Sequence, residues 1–160
     1  MWQTMKVWKH LKTENIYLKT SLEDKHAVLC FIAGELQKKG LIRDADRLIH
    51  GLQQREKTMS TGIGNGICFP HTTSPDLNEA ALMLVRPLNP VDFEALDNLP
   101  VDIIMAIIVP ENQTALHLQM LAGMSRLCRA PEFLTIVRSA EDEDTLLKEI
   151  KKLEEGMAFH

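Results

Sequence analysis

The amino-acid sequence predicts an α/β protein, a three-layer α/β/α sandwich in which a mixed β-sheet is flanked by helices. Short, mainly apolar runs rich in Ile and Val occur at 67–69, 81–85 and 101–109, as is typical of strands buried on both faces of a sheet. Segments with apolar residues at helical spacing precede and follow these runs. Helices are therefore expected on both sides of the sheet.

The first elements precede the apolar runs. Residues 1–19 have little regular period, and we expect either an N-terminal arm or a short strand there, centred on 15–18. From Ser21 the spacing predicts a helix. Ser21 and Asp24 resemble a capping box at its start, and Gly40 is expected to end it.

Helical spacing returns in four later segments. One domain is expected over residues 20–156, with residues 157–160 as a C-terminal tail. The last helix is acidic at its start and basic towards its end, which suits the helix dipole. The predicted helices cover about 44–55, 116–128, 131–140 and 140–155.

Composition excludes several classes of function. A formal net charge of −4 gives no electrostatic footprint for nucleic acid. The longest apolar run, 103–109, is far shorter than the roughly 18 residues of a membrane span, and we expect no membrane insertion. The N-terminus lacks the apolar core of a secretory signal. Three cysteines without a C-x-x-C pair indicate reduced thiols, so the expected location is cytoplasmic.

A glycine-rich stretch, STGIGNGICFPH, ends with Pro70 and His71. It is neither a dinucleotide fingerprint, which needs G-x-G-x-x-G after an apolar strand, nor a P-loop, which needs Gly-Lys-Ser/Thr. Glycines can nevertheless bring backbone N–H groups close to an anion. A histidine held beside such a loop suits covalent phosphoryl transfer. The alternative, a turn histidine after a glycine hairpin, stays equally open at this point.

Two further side chains are candidates for the same site. His117 shares a helix face with Leu121 and Met124 and is expected to point inward. It is either a core histidine bonded to a backbone carbonyl or a second imidazole of the site. Arg55 could offer bidentate hydrogen bonds to phosphoryl oxygens, or it is a solvated charge. The remaining histidines have no distinctive setting and are expected at the surface: His10, His26, His50 and His160.

At these residues the sequence resembles a known family. The run REKTMSTGIGNGICFPH, followed by HLQMLAGMSRL, resembles the enzyme IIA domains of the bacterial sugar phosphotransferase system, fructose/mannitol type. Within it, DFEALDNLPVDIIMAIIVPENQTALHLQML looks most like the nitrogen-regulatory IIA branch. The resemblance covers about 21–153 and implies a mixed sheet between helical layers.

The resemblance also implies roles for the candidate residues. His71 aligns with the histidine that accepts a phosphoryl group, through Nε2, from the histidine phosphocarrier protein. His117 matches the family's supporting histidine, and Arg55 matches an arginine that stabilises the phosphoryl group. No metal or organic cofactor is implied. On this basis we expect a phosphotransferase and assign phosphoryl binding to the loop residues Thr61, Gly64, Asn65 and Gly66.

Partners follow from the resemblance as well. The donor is the histidine phosphocarrier protein. The downstream partner is either an enzyme IIB cysteine, in sugar transport, or a sensor kinase or potassium transporter, in regulation. The absence of a fused IIB or transporter segment favours the regulatory role. Homodimer formation stays open.

Departures from the family pattern and two rival interpretations remain: a non-catalytic binding module that keeps the fold, and a zinc-binding module. The residue after the acceptor is usually glycine in the family and is Thr72 here, which puts partner docking and transfer rate in question. A zinc site of another class would need a Cys2His2 set, with spacing only loosely typical of zinc: Cys68, His71, His117 and Cys128.

Overall fold

Helices lie on both faces of a mixed β-sheet in the computed structural model, which describes residues 5–58 and 60–157. Two short 3-10 helices, Val7–Lys9 and Thr13–Asn15, come first. The remaining elements in chain order are β1 (Ile16–Thr20), α1 (Lys25–Lys38), α2 (Ala45–Thr58), β2 (Gly62–Gly64), β3 (Ile67–Cys68), β4 (His71–Ser74), β5 (Ala81–Pro87), β6 (Ile103–Pro110), α3 (Thr114–Cys128), α4 (Pro131–Ser139) and α5 (Glu143–Gly156).

The sheet has six strands within the described residues, in the order β1-β5-β6-β3-β2, and β4 also pairs with β6. The pairs β1–β5, β3–β6 and β4–β6 are parallel, whereas β5–β6 and β2–β3 are antiparallel. The predicted mixed sheet is therefore confirmed. The longest apolar run forms β6, in which every residue is buried.

Alternate residues of β6 face two separate hydrophobic cores. Ile104 and Ile108 pack in the core that α1 and α2 cover. Ile103 and Ile107 pack in the core on the other side, which α3, α4 and α5 cover together with the N-terminal segment. Because side chains alternate along a strand, a run buried on both faces has no polar positions. This arrangement is the predicted three-layer sandwich.

The helices agree with the predictions apart from the start of α1. That helix begins at Lys25, and Asp24 is its N-cap, since the Asp24 carboxylate accepts a hydrogen bond from the N–H of Ala27 at 2.7 Å. The capping box predicted at Ser21 is wrong, because aspartate is itself a strong N-cap. The predicted stop is confirmed: Gly40 follows the helix with a φ of 72°.

The described part of the N-terminal segment packs on the main core. Val7 and Leu11 are buried, and β1 supplies the strand that was one of the two alternatives for residues 1–19. The backbone N–H groups of Val7 and Trp8 donate to the carboxylate of Glu154 at 2.9 Å and 2.7 Å, which fastens the segment to α5. The predicted tail, 157–160, lies outside the described residues except for Met157.

Candidate active site

His71 is the first residue of β4, and its backbone is held firmly against the central strand. It pairs with Ile107 of β6, whose N–H donates to the carbonyl oxygen of Pro70 at 2.9 Å. Pro70 fixes its own φ and restricts Phe69 to an extended conformation. The His71 residue is only 7% exposed. Its imidazole therefore has a defined position at the start of β4, the strand against which α2 packs.

Both nitrogens of the His71 ring have hydrogen-bond partners, and these fix its tautomer. The Nδ1–H donates to the carbonyl oxygen of Phe69 at 2.6 Å. The Nε–H of Arg55 donates to Nε2 at 3.0 Å. A carbonyl only accepts and a guanidinium only donates, so Nδ1 carries the proton and Nε2 keeps its lone pair. The lone pair on Nε2 is the nucleophilic position of the ring.

Arg55 reaches this nitrogen from the last turn of α2. It is an exposed residue, so most of its guanidinium surface faces solvent while its Nε contacts the histidine. A guanidinium presents five N–H donors in a planar fork that matches phosphoryl oxygens. The arginine therefore combines a contact to the nucleophile with donors directed to the space beside it.

His117 lies across from His71 on α3. The two ring centroids are 5.2 Å apart, at an interplanar angle of 61°. The Nε2 of His117 is buried and has no hydrogen-bond partner among the described residues. An unpaired buried polar atom is costly, which makes it a position where a ligand atom would be stabilising. His117 was predicted to point inward, and its Nε2 is indeed buried, although the residue as a whole is only partly buried.

Burial lowers the pKa of both histidines. For His71 desolvation is the main cause, opposed by the hydrogen bond to the carbonyl of Phe69, while the charge of Arg55 lowers the pKa further and that of Glu56 raises it. For His117 desolvation again dominates, with contributions from His71 and Arg55. Both rings are consequently neutral near pH 7, and His71 retains a free lone pair there.

Glu56 fixes the end of α2 that carries Arg55. Its carboxylate accepts hydrogen bonds from the backbone N–H of Thr61 at 3.0 Å and from the Thr61 hydroxyl. It also forms an ion pair with Lys25 of α1 at 3.0 Å. The Glu56 side chain is only 6% exposed. Sequence reasoning missed this residue, although its position beside Arg55 was a signal that could have found it.

A cavity of about 490 Å³ opens beside the two histidines, between α2, β4 and the start of α3. Arg55, His71 and His117 line it together with the hydroxyl residues Thr58, Thr72, Thr73 and Thr114. Leu118, which is 63% exposed, and Leu121 form an apolar rim. The arrangement offers one nucleophile, several donors and an accessible surface, and Arg55 is the one cation among the described residues that line it.

The structure does not bring the predicted glycine loop to this cavity. Ile67 pairs with Ile103 of β6, whereas His71 pairs with Ile107, four residues further along the strand. At about 3.3 Å per residue the turn at 64–66 is about 13 Å or more from His71. The assignment of Gly64, Asn65 and Gly66 to phosphoryl binding is corrected accordingly.

The glycines instead make a tight hairpin between β2 and β3. Asn65 and Gly66 both have positive φ, 58° and 81°, as the turn requires. The N–H of Asn65 donates to Asp97 at 3.0 Å, and its carbonyl accepts from Arg138 at 2.7 Å, so neither is available to a phosphoryl group. Thr61 does not line the cavity among the described residues, and its N–H and hydroxyl donate to Glu56.

The rival set of zinc ligands is dispersed. Cys68 is fully buried in the core beneath α1 and α2. Cys128 is buried in the core on the opposite face of the sheet. Burial also raises the pKa of both thiols, that of Cys128 to about 12. Within residues 5–58 and 60–157 no three His, Cys, Asp or Glu side chains are grouped to hold a metal ion.

Comparison with known proteins agrees with this geometry. Residues 9–153 match the family described as "Phosphoenolpyruvate-dependent sugar phosphotransferase system, EIIA 2". The chain belongs to this family. The match includes Arg55, His71 and His117, the three residues that meet at the cavity. The resemblance inferred from the sequence is thereby confirmed, and the protein is a component of the phosphotransferase system.

Several curated relatives belong to the nitrogen-regulatory branch. The chain is 31% identical over 145 residues to a nitrogen regulatory protein homolog of Haemophilus influenzae, covering 89% of this chain and 88% of that protein. It is 34% identical over 124 residues to the nitrogen regulatory protein of Escherichia coli strain K12, covering 77% and 76%. It is also 29% identical to the PTS system fructose-specific EIIABC component of Bacillus subtilis, spanning 89% of this chain but 22% of that protein.

Solved structures share the fold. The nitrogen regulatory protein IIA-Ntr of Neisseria meningitidis superimposes with a TM-score of 0.83 at 24% identity, covering 90% of this chain and 98% of that one. IIA mannitol from Escherichia coli superimposes with a TM-score of 0.73 at 21% identity, covering 88% and 98%. The described residues contain no helix long and apolar enough to cross a membrane.

Proposed function

We propose that the chain is a phosphohistidine carrier that accepts a phosphoryl group on Nε2 of His71 from the histidine phosphocarrier protein. The observation that carries the proposal is the fixed tautomer. Nδ1 is protonated and bonded to the carbonyl of Phe69, so Nε2 is the ring nitrogen with a lone pair. The family's place in a phosphoenolpyruvate-dependent system supports the same assignment.

The step is an in-line phosphoryl transfer between two histidines. The Nε2 lone pair of His71 forms a bond to phosphorus as the phosphorus–nitrogen bond of the donor breaks, and that electron pair returns to the donor's imidazole. Oxidation states do not change and no cofactor takes part. Because a phosphohistidine is both donor and product, the reaction is reversible. Catalysis then depends on positioning and on neutralising the charge of the transferred group.

Arg55 and His117 are the groups that can supply this neutralisation. The hydrogen bond from Arg55 to Nε2 must break as the lone pair attacks, which leaves its N–H donors free for a phosphoryl oxygen. His117 is free to hold its proton on the unpaired Nε2 and donate it in a second hydrogen bond. Both roles use donors already in place, so little reorganisation accompanies the transfer.

We infer a nitrogen-regulatory role for the carrier. The Haemophilus influenzae and Escherichia coli relatives, both above 30% identity, support this branch. In that role the phosphorylation state of His71 would select a partner such as a sensor kinase or a potassium-transport regulator, in the cytoplasm where phosphoenolpyruvate is made. The similarity to the fructose-specific component supports a second candidate, a sugar IIA protein that donates to a IIB cysteine.

Intact-mass spectrometry tests the first step. The protein is incubated with enzyme I, the phosphocarrier and phosphoenolpyruvate, and treated afterwards with acid or alkali. One added phosphoryl group, lost in acid and kept in alkali, is expected for the natural sequence and for His50→Ala, a control at an exposed histidine of α2. His71→Ala is expected to fold and gain no mass. Full phosphorylation of His71→Ala would refute the assignment.

Transfer to a IIB protein separates the two physiological roles. Purified phosphorylated protein is mixed with IIB domains of the fructose and mannitol type, and label on the IIB cysteine is followed over time. A regulatory carrier is expected to retain its phosphoryl group. Transfer at rates comparable to the phosphocarrier step would instead establish the sugar-transport role.

A further inference from the structure

Gly51 of α2 and Thr72 of β4 approach each other closely beside the proposed phosphorylation site. A Cβ added to Gly51 would lie 2.9 Å from Oγ1 of Thr72, with Cγ2 at 3.6 Å and Cβ at 3.7 Å. Carbon and oxygen atoms in contact normally stay more than 3 Å apart, so helix and strand approach more closely here than a side chain at 51 would permit. Both residues line the cavity that contains His71.

Rotation of Thr72 offers little relief for a larger residue at 51. Threonine carries heavy atoms at two of the three staggered positions on its Cβ, so only one rotamer would turn a hydrogen towards the helix. Adopting it would give both heavy atoms of the side chain new positions, on the residue that directly follows His71. The alternative is that α2 moves away from β4. In either case the disturbance falls beside the acceptor histidine.

The second consequence concerns Arg55, which follows Gly51 by four residues. Residues at this spacing lie on the same face of a helix, one turn apart. A shift of α2 away from Thr72 would therefore lengthen the 3.0 Å contact between Arg55 Nε and His71 Nε2. On the other side of Arg55, Glu56 ties the end of α2 to Thr61 and to Lys25 of α1. The helix is therefore held both before Arg55, where Gly51 meets Thr72, and after it.

We propose that Gly51 is a positioning residue for phosphoryl transfer: its close contact with Thr72 sets the distance at which Arg55 meets His71. This inference rests on the proposed function of His71. The threonine next to the acceptor and the glycine opposite it form one unit, since the small residue on the helix accommodates the β-branched residue on the strand. Thr72 is then compatible with the transfer reaction and not an impediment to it.

Gly34 of α1 offers a matched control for this interpretation. Glycine weakens the interior of any helix relative to alanine. A Cβ at Gly34 would meet nothing within 4 Å, unlike a Cβ at Gly51. Gly34→Ala and Gly51→Ala make the same chemical change in two helices that cover the same core, and only the second meets a strand residue beside the site.

The test measures the initial rate of phosphorylation by the phosphocarrier and the pKa of His71 by proton NMR titration. Gly51→Ala is expected to lower the rate about tenfold, since a misplacement of 1 Å can cost a hundredfold and this one is smaller. It should also raise the pKa of His71, because the Arg55 charge that lowers it moves away. Gly34→Ala should change neither quantity.

Second substitutions at Thr72 decide whether the contact is the cause. Gly51→Ala/Thr72→Ser is expected to recover the natural rate and pKa, since serine has two rotamers that leave the space free. Gly51→Ala/Thr72→Val should stay slow, because valine keeps both branches. A natural rate in Gly51→Ala, or a slow Thr72→Ser double variant, would overturn the proposal.

Two further outcomes keep the proposals separate. If Gly51→Ala does not fold, the folded Thr72→Ser double variant decides alone, by its rate and its His71 pKa. If the natural protein gains no phosphoryl group, the proposed function fails. The His71 titration then still tests the geometry, and an unchanged pKa in Gly51→Ala would overturn the positioning role independently.

Discussion

Replacing Arg55 with alanine tests how much the site depends on this cation. Two effects of this change oppose each other. The lost guanidinium can no longer donate to phosphoryl oxygens, and a hydrogen bond to a charged group contributes about 1.5–3 kcal/mol. Its loss also releases the Nε2 lone pair of His71 from a hydrogen bond of 3.0 Å, which a nucleophile must otherwise break. This second effect favours reaction by about 1 kcal/mol, the usual contribution of one hydrogen bond.

The first effect is expected to exceed the second. Arg55 is exposed, so solvent screens its charge, and the lower part of the range, about 1.5–2 kcal/mol, is the suitable figure. Subtracting the released hydrogen bond leaves a loss of about 0.5–1 kcal/mol. At about 1.4 kcal/mol per factor of ten, the rate of phosphorylation should fall about twofold to fivefold.

The assay is a rapid-quench measurement of phosphohistidine formation under saturating phosphocarrier, paired with an NMR titration of His71. Arg55→Ala should also raise the pKa of His71, because the arginine's charge lowers it in the natural protein. Lys57→Ala, at an exposed cation on the same helix, is the control and should leave both quantities unchanged. A natural rate and pKa in Arg55→Ala, or equal losses in Lys57→Ala, would refute the reasoning.

Three other predictions concern charge and burial. Burial lowers the folded-state pKa of His71 and His117, so the unfolded chain binds more protons than the folded protein below about pH 6.5. The free energy of unfolding should therefore be full above that pH and fall as the pH drops towards the folded-state pKa values. The fall should be less steep in His71→Ala. Denaturant titrations across pH 5 to 8 measure this, and identical slopes would contradict it. Glu56→Gln should lower the pKa of His71 further, since the carboxylate raises it; an unchanged NMR titration would show that Glu56 does not act on the ring. Glu154→Ala should cost about 2–4 kcal/mol of unfolding free energy in urea denaturation, because it leaves two backbone N–H groups unpaired. An equal loss in Glu155→Ala, at an exposed site, would show that this pairing is not the cause.

The sequence predicts secondary structure best where burial alone determines which positions are apolar. The run that became β6 is apolar at every position because it faces two cores, and this feature predicts a central strand directly. β4 was missed for the opposite reason. Its residues, HTTS, carry no apolar alternation, and their pairing with β6 depends on contacts far away in sequence. No strand was therefore predicted at His71, which begins β4.

The glycine-rich stretch shows where a local pattern stays ambiguous. Positive φ and small size serve an anion-binding loop and a tight hairpin equally well. The register of β3 on β6 decides between them, since it carries the turn at 64–66 away from His71. Arg55 and His117 were candidates from the sequence, and the resemblance gave them roles. The hydrogen bond that fixes the tautomer, donated by His71 Nδ1–H to the carbonyl of Phe69, involves a backbone atom and could not be read from residue types.

The position of the phosphoryl group on the His71 ring decides whether Nε2 is the nucleophile. The protein, labelled with 15N in its histidines, is phosphorylated by the phosphocarrier, and nitrogen–phosphorus coupling is measured by NMR. We expect phosphorus bonded to Nε2 of His71, with Nδ1 still protonated and hydrogen-bonded to the Phe69 carbonyl. Phosphorus on Nδ1 of His71, or on His117, would contradict it.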